Sequence, residues 1–164
     1  MRSAIWVLNI FATIWCAAAI LISGWPTGFL VVPLCVAVAC AALAGHHAPR
    51  PRDRGQQAAA WKAVSLWGGI ELAAIVVVAA LLVRFGAHAA VMPAVAIIVG
   101  LHFLPLASSI GVPLYRATAA GLIVAGAIAL VLPAPMPAAV GISAAAILWS
   151  SCAAILVRGR RAEP

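Results

Sequence analysis

Apolar residues run along this chain in six stretches of about 20, near residues 3–23, 27–45, 61–83, 89–110, 116–133 and 137–157, with polar residues gathered in the gaps. The stretches are apolar on every side, so no soluble amphipathic element fits them. A helix rising about 1.5 Å per residue crosses roughly 30 Å of hydrocarbon in about 20 residues, and it satisfies every backbone group where lipid offers none a partner. The breaks have turn chemistry: Gly24-Trp25-Pro26, the hydrophilic loop His46 to Gln57, and Pro133-Ala134-Pro135-Met136-Pro137. The pattern predicts an all-α integral membrane bundle of six transmembrane helices, arranged as three helical hairpins in one domain over residues 1–164.

Composition agrees, with 66% hydrophobic residues, 8% charged and a mean hydropathy of +1.18. The formal charge of +7 raises the question of nucleic acid, but the basic residues flank spans instead of forming a basic face on a soluble module. They fit membrane lipid and topology better. With the N-terminus inside, Arg2, Arg50, Arg52, Arg54, Lys62, Arg116, Arg158, Arg160 and Arg161 fall on the cytoplasmic side and only Arg84 outside. Both termini are then expected in the cytoplasm. Trp25, Trp61 and Tyr115 sit at span ends, where amphipathic rings favour the headgroup layer. The preference for Arg over Lys and the wealth of Ala suggest a high-GC bacterial source, hence the inner membrane. The first stretch opens with Arg2 like a signal peptide, yet its length and its Asn9, Trp6 and Trp15 favour a retained helix. Cys16, Cys35, Cys40 and Cys152 all lie in apolar stretches and read as small hydrophobes.

Ionisable groups deep inside a span cost on the order of 3 kcal/mol, so the two stranded well away from the span ends draw attention. Glu71 lies about 1.5 Å from the midpoint of the third stretch, and His102 about 4 Å from that of the fourth. The short turn Arg84 to His88 lets antiparallel neighbours bring them to similar depth. Such a pair serves either as a proton-titrating or cation-binding site, or as a polar contact that sets the register of two helices. Trp67 and Gly68 share the Glu71 side of the helix, and Gly68-Gly69 offers space beside the carboxyl. Asn9, about 6 Å from the centre of the first stretch, is a third candidate, able to join that cluster or to bond a neighbouring backbone. Pro33, Pro93 and Pro105 are expected to kink their spans. His46 and His47 lack a third ligand at metal-binding spacing, and no motif implies a cofactor or a reaction.

Two stretches resemble known families. Gly100-Leu101-His102-Phe103-Leu104-Pro105-Leu106, followed by Gly111-Val112-Pro113-Leu114-Tyr115, is similar to small bacterial multi-pass membrane proteins, a resemblance that implies no activity. The region from Trp61 onward, with Gly68-Gly69 and Glu71, resembles the small multidrug resistance transporters, differing in spacing, in aromatic content and in the two spans that precede it. That resemblance implies that Glu71 binds protons and cationic drugs. The expectation is a small multi-pass inner-membrane protein with a buried Glu71/His102 polar site. A proton-coupled transporter of small or cationic solutes is one specific role; a non-catalytic subunit, packing by its small-residue faces as a homo-oligomer or on a membrane-protein partner, is another. An enzyme is the least supported class.

Overall fold

The computed structural model describes residues 2–47, 54–132 and 137–161. Its helices are α1 (Arg2–Ile22), α2 (Val31–His47), α3 (Arg54–Arg84), α4 (Val91–Ile110), α5 (Leu114–Val131) and α6 (Pro137–Arg161). All six are long and apolar enough to cross a membrane, and there is no strand among the described residues. The main departure from the expected layout is at the start of α3. Its 31 residues begin inside the hydrophilic loop, because Arg54-Gly55-Gln56-Gln57-Ala58-Ala59-Ala60 is rich in good helix formers. At about 46 Å this helix outruns the hydrocarbon thickness by several turns. Most of the rest of that loop, with Arg50, Arg52 and Asp53, lies outside the described residues, as do the side chains of His46 and His47.

Neighbours along the chain touch as hairpins, but the closest packing crosses between hairpins. The helices form a row in the order α3, α4, α5, α6, α1, α2, with α4 against α5 and α1 against α6 as its tightest joints. Half of the α6 span is buried inside the protein against 6% of the α3 span, so α2 and α3 are the flanks. The core is built from Ile5, Leu8 and Ala12 of α1, Val99 and Phe103 of α4, Leu122 of α5, and Ala144 and Leu148 of α6. Glycine sets the tight joints. A Cβ on Gly126 of α5 would stand 2.7 Å from the Pro93 carbonyl oxygen of α4, and one on Gly141 of α6 would stand 2.9 Å from the Trp15 carbonyl oxygen of α1. Backbones thus meet directly, the arrangement that drives association where lipid is as apolar as the side chains.

The first two hairpins turn in the same way. α1 ends where the Gly24 N–H bonds the Leu21 carbonyl and the Trp25 N–H bonds the Ile20 carbonyl; α3 ends where the Gly86 N–H bonds Val83 and the Ala87 N–H bonds Leu82. Both glycines take positive φ, +67° and +73°, so each helix closes with a Schellman turn that glycine alone accommodates without strain. A 3-10 turn follows, Thr27–Leu30 or His88–Ala90, then an α-helix with proline as its third residue. Pro33 and Pro93 therefore do not interrupt their helices as expected: in the first turn the proline has no α-helical N–H bond to lose. Among the described residues only Pro105 lies in a helix interior, where it leaves the Leu101 carbonyl without its usual donor. Asn9 and Glu71 occupy equivalent places, each fifteen residues before its turn glycine. Their surroundings differ.

Candidate functional site

One side of α3 meets α4. Val64, Trp67, Gly68, Ala74, Ile75 and Val78 are half-buried along it, and Glu71 at its centre is 8% exposed. His102 of α4 stands opposite, with its Nδ1 3.5 Å from Glu71 Oε2 and the side chain 11% exposed. The expected depth match is therefore present, and the two groups face each other. The imidazole also has a backbone hydrogen-bond partner at Trp67, one turn before Glu71, so a single side chain of α4 engages two successive turns of α3. Phe103 fixes the next position by packing edge-on against Tyr115 of α5, ring centroids 5.3 Å apart.

The pair is close without being bonded. A charge-assisted N–H···O bond draws in to about 2.7–2.9 Å, and 3.5 Å falls well outside that range. Glu71 Oε1 and His102 Nδ1 are the only buried side-chain nitrogen or oxygen atoms among the described residues that lack a hydrogen-bond partner. Space lies alongside: a Cβ on Gly68 or Gly69 would meet nothing within 4 Å, although Gly68 sits on the α4 side. The chemistry available is a carboxyl and an imidazole with unused hydrogen-bonding capacity, on a helix side that also carries the half-buried Trp67. No group of three or more potential metal ligands occurs among the described residues.

Asn9 does not join this cluster. Its Nδ2 donates to the Ala37 carbonyl of α2 at 2.9 Å, and its Oδ1 accepts from Trp149 Nε1 of α6 at 3.1 Å. One carboxamide ties three helices together, at a place only 3% exposed. Asn9→Ala is expected to cost about 1–3 kcal/mol, because it strands an indole N–H and removes a donor from Ala37 in a medium with no water to replace them. Thermal unfolding in detergent reads that loss, and Trp149→Phe should reproduce part of it.

A third polar contact went unremarked in the sequence. Thr118 of α5 and Ser151 of α6 share a hydrogen bond of 2.7 Å, and with one proton each the two hydroxyls divide their donation between this bond and the carbonyls four residues back, Leu114 and Ile147. Single hydroxyls are ordinary in spans, so only the fold pairs these two. Trp149 was equally silent, since an indole inside an apolar stretch reads as bulk. The chain matches no family model, no curated protein and no solved structure, so the geometry of these three contacts is what bears on function.

Proposed function

We propose that the protein is a proton-coupled carrier of small or cationic solutes in a bacterial inner membrane, with both termini cytoplasmic and Glu71 as the proton-exchanging group. One observation carries the reading. Of three buried polar contacts, those at Asn9 and at Thr118/Ser151 are hydrogen-bonded, whereas Glu71 and His102 retain unpaired atoms near the middle of the α3–α4 joint. A contact kept only for packing gains nothing from that vacancy, and buried polar groups left unpaired call for a cause beyond stability. In the proton-loaded state the neutral carboxyl needs no counter-charge. When it releases its proton, a cationic solute or the imidazolium of His102 balances it. Exchange between these occupants is the elementary step of coupled transport. The resemblance of Gly68-Gly69 and Glu71 to the small multidrug resistance transporters supports the same role, as does the positive-inside distribution of arginine for the orientation.

The direct test follows the carboxyl infrared band of the purified protein across pH, with Glu71→Gln to assign it. Titration that responds to His102→Gln and to added solute is expected. A carboxyl locked in one protonation state throughout the accessible range overturns the proposal. The space at Gly68 gives a second check: Gly68→Ala adds a methyl that meets nothing, so stability is expected to hold or rise by up to about 1 kcal/mol. Solute-linked flux is expected to fall in the same variant. If flux is unchanged, the solute does not use that space.

A non-catalytic subunit is the second reading, favoured by the exposure of Ile70, Leu72, Val76, Val77 and Leu81 along α3. A stoichiometric partner retained through mild extraction would support it, and a monodisperse active protein would oppose it.

A further inference from the structure

We infer that α3 is the moving element of the bundle, pivoting at the Gly86 turn against α4, with the Glu71–His102 contact as its clasp and α1, α2 and α6 as the fixed frame. The inference deepens the proposed carrier and rests on proton exchange at Glu71.

The argument is a comparison between two equivalent hairpins. In the first, the polar residue fifteen positions before the turn is Asn9, a group that does not titrate and whose amide bonds α2 on one side and α6 on the other. α1 is also buried along that face, at Ile5, Leu8, Ala12, Trp15 and Ala19, and the Gly141 backbone of α6 presses on it. That helix is locked.

In the second hairpin the same position holds Glu71, and its neighbour across the hairpin is His102, so both members of the contact change charge with pH. The positions of α3 equivalent to Leu8, Trp15 and Ala19 are Ile70, Val77 and Leu81, and all three are exposed. α3 packs on α4 and the 3-10 turn before it, with no other substantial helix contact. A Cβ on Gly68 would meet nothing within 4 Å, so no close backbone contact holds α3 there as Gly141 holds α1. A helix with one neighbour and an incomplete polar contact has little to hold it in a single arrangement.

The charged surroundings are simple. His102 is the only titratable residue of α4, and His88 in the 3-10 turn is exposed at the very start of the α4 span. On α3 itself, Lys62 and Arg84 are exposed and lie about 14 Å and about 20 Å along the axis from Glu71. Arg116 of α5 is exposed, and Tyr115 faces Phe103. No second charged side chain among the described residues stands beside the pair, so its own protonation state sets the strength of the clasp. Ion-paired, it draws α3 onto α4; neutral, it lets α3 away.

The test is a spin-label distance in the full chain reconstituted in lipid, with Cys16, Cys35 and Cys40 replaced by Ala and the buried Cys152 kept. One pair joins Leu66→Cys on α3 to Ile14→Cys on α1; the control pair joins Ile14→Cys to Val38→Cys on α2, all at exposed positions. Across about pH 3 to about pH 9, which brackets ordinary carboxyl and imidazole titration, the α3 distance is expected to shift by about 5 Å as the pair gains and loses its opposite charges, while the control holds. Glu71→Gln is expected to abolish the shift, with His102→Gln as the second variant should the first fail to fold. A static α3 pair, or equal movement of both pairs, overturns the inference. The two proposals separate cleanly: proton-linked flux with a static α3 leaves the carrier standing and removes the hinge, whereas an α3 that moves in a protein without flux keeps the hinge and removes the carrier.

Discussion

Glu71→Gln is expected to lower proton-linked flux by about 100-fold or more while the bundle unfolds at an unchanged temperature. Gln keeps the shape of the carboxyl and adds an N–H donor that His102 can accept, so the α3–α4 joint loses no packing and its unpaired atoms gain a partner. What it cannot do is release a proton. The comparison with Asn9→Ala is what makes the result informative, because the equivalent position in the first hairpin is expected to show the reverse: lost stability, with whatever flux remains in the folded fraction still proton-linked. Measured together in proteoliposomes and by thermal unfolding, the two variants separate a working carboxyl from a structural amide. If Glu71→Gln destabilises the protein as much as Asn9→Ala does, Glu71 is a packing contact. His102→Gln is expected to retain flux with an altered pH profile, since His102 acts through the carboxyl.

The largest expected loss of stability lies at the backbone contact between α4 and α5. Gly126→Val places a branched side chain where even a Cβ would be 2.7 Å from the Pro93 oxygen and 2.7 Å from Ile97 Cγ1. The Ile97 side chain can rotate away; the Pro93 carbonyl cannot. The helices must separate, and the expected cost reaches or exceeds the roughly 1–3 kcal/mol typical of overpacking, because this joint is the tightest in the bundle. Gly100→Val meets the Ala119 oxygen at 2.9 Å from the other side of the same joint and should behave alike. Gly69→Val, on the open side of α3, is the control expected to leave the bundle intact. Size-exclusion profiles and unfolding temperatures in detergent read all three. A Gly126→Val protein as stable as the parent would mean that α4 and α5 are not in direct backbone contact.

Six spans and their approximate limits were legible because length and hydropathy alone decide whether a helix fits a bilayer, and Gly24, Gly86 and Gly111 mark where three of the helices stop. The depth match of Glu71 and His102 followed from the same counting. The row of helices did not, since in lipid every side of a span is apolar and the pattern holds no phase to say which face meets protein. Gly126 and Gly141 were visible only as members of a small-residue background. The hairpin likeness was present in Gly24, Val31 and Pro33 against Gly86, Val91 and Pro93, but a two-residue difference in the turns hides it from any single register. Asn9 was correctly singled out as able to bond a neighbouring backbone, and its second partner, Trp149, lies 140 residues away, a contact that only the folded bundle creates.

The length of α3 has a mechanical consequence. A helix of about 46 Å anchored at its Gly86 end is a lever, with Glu71 about a third to a half of the way along and the Arg54 end far outside the hydrocarbon. A tilt of about 10° would displace the carboxyl by only about 4 Å and the Arg54 end by about 8 Å. Were α3 to pivot at Gly86, a change of charge at Glu71 would therefore be amplified roughly twofold at the Arg54 end.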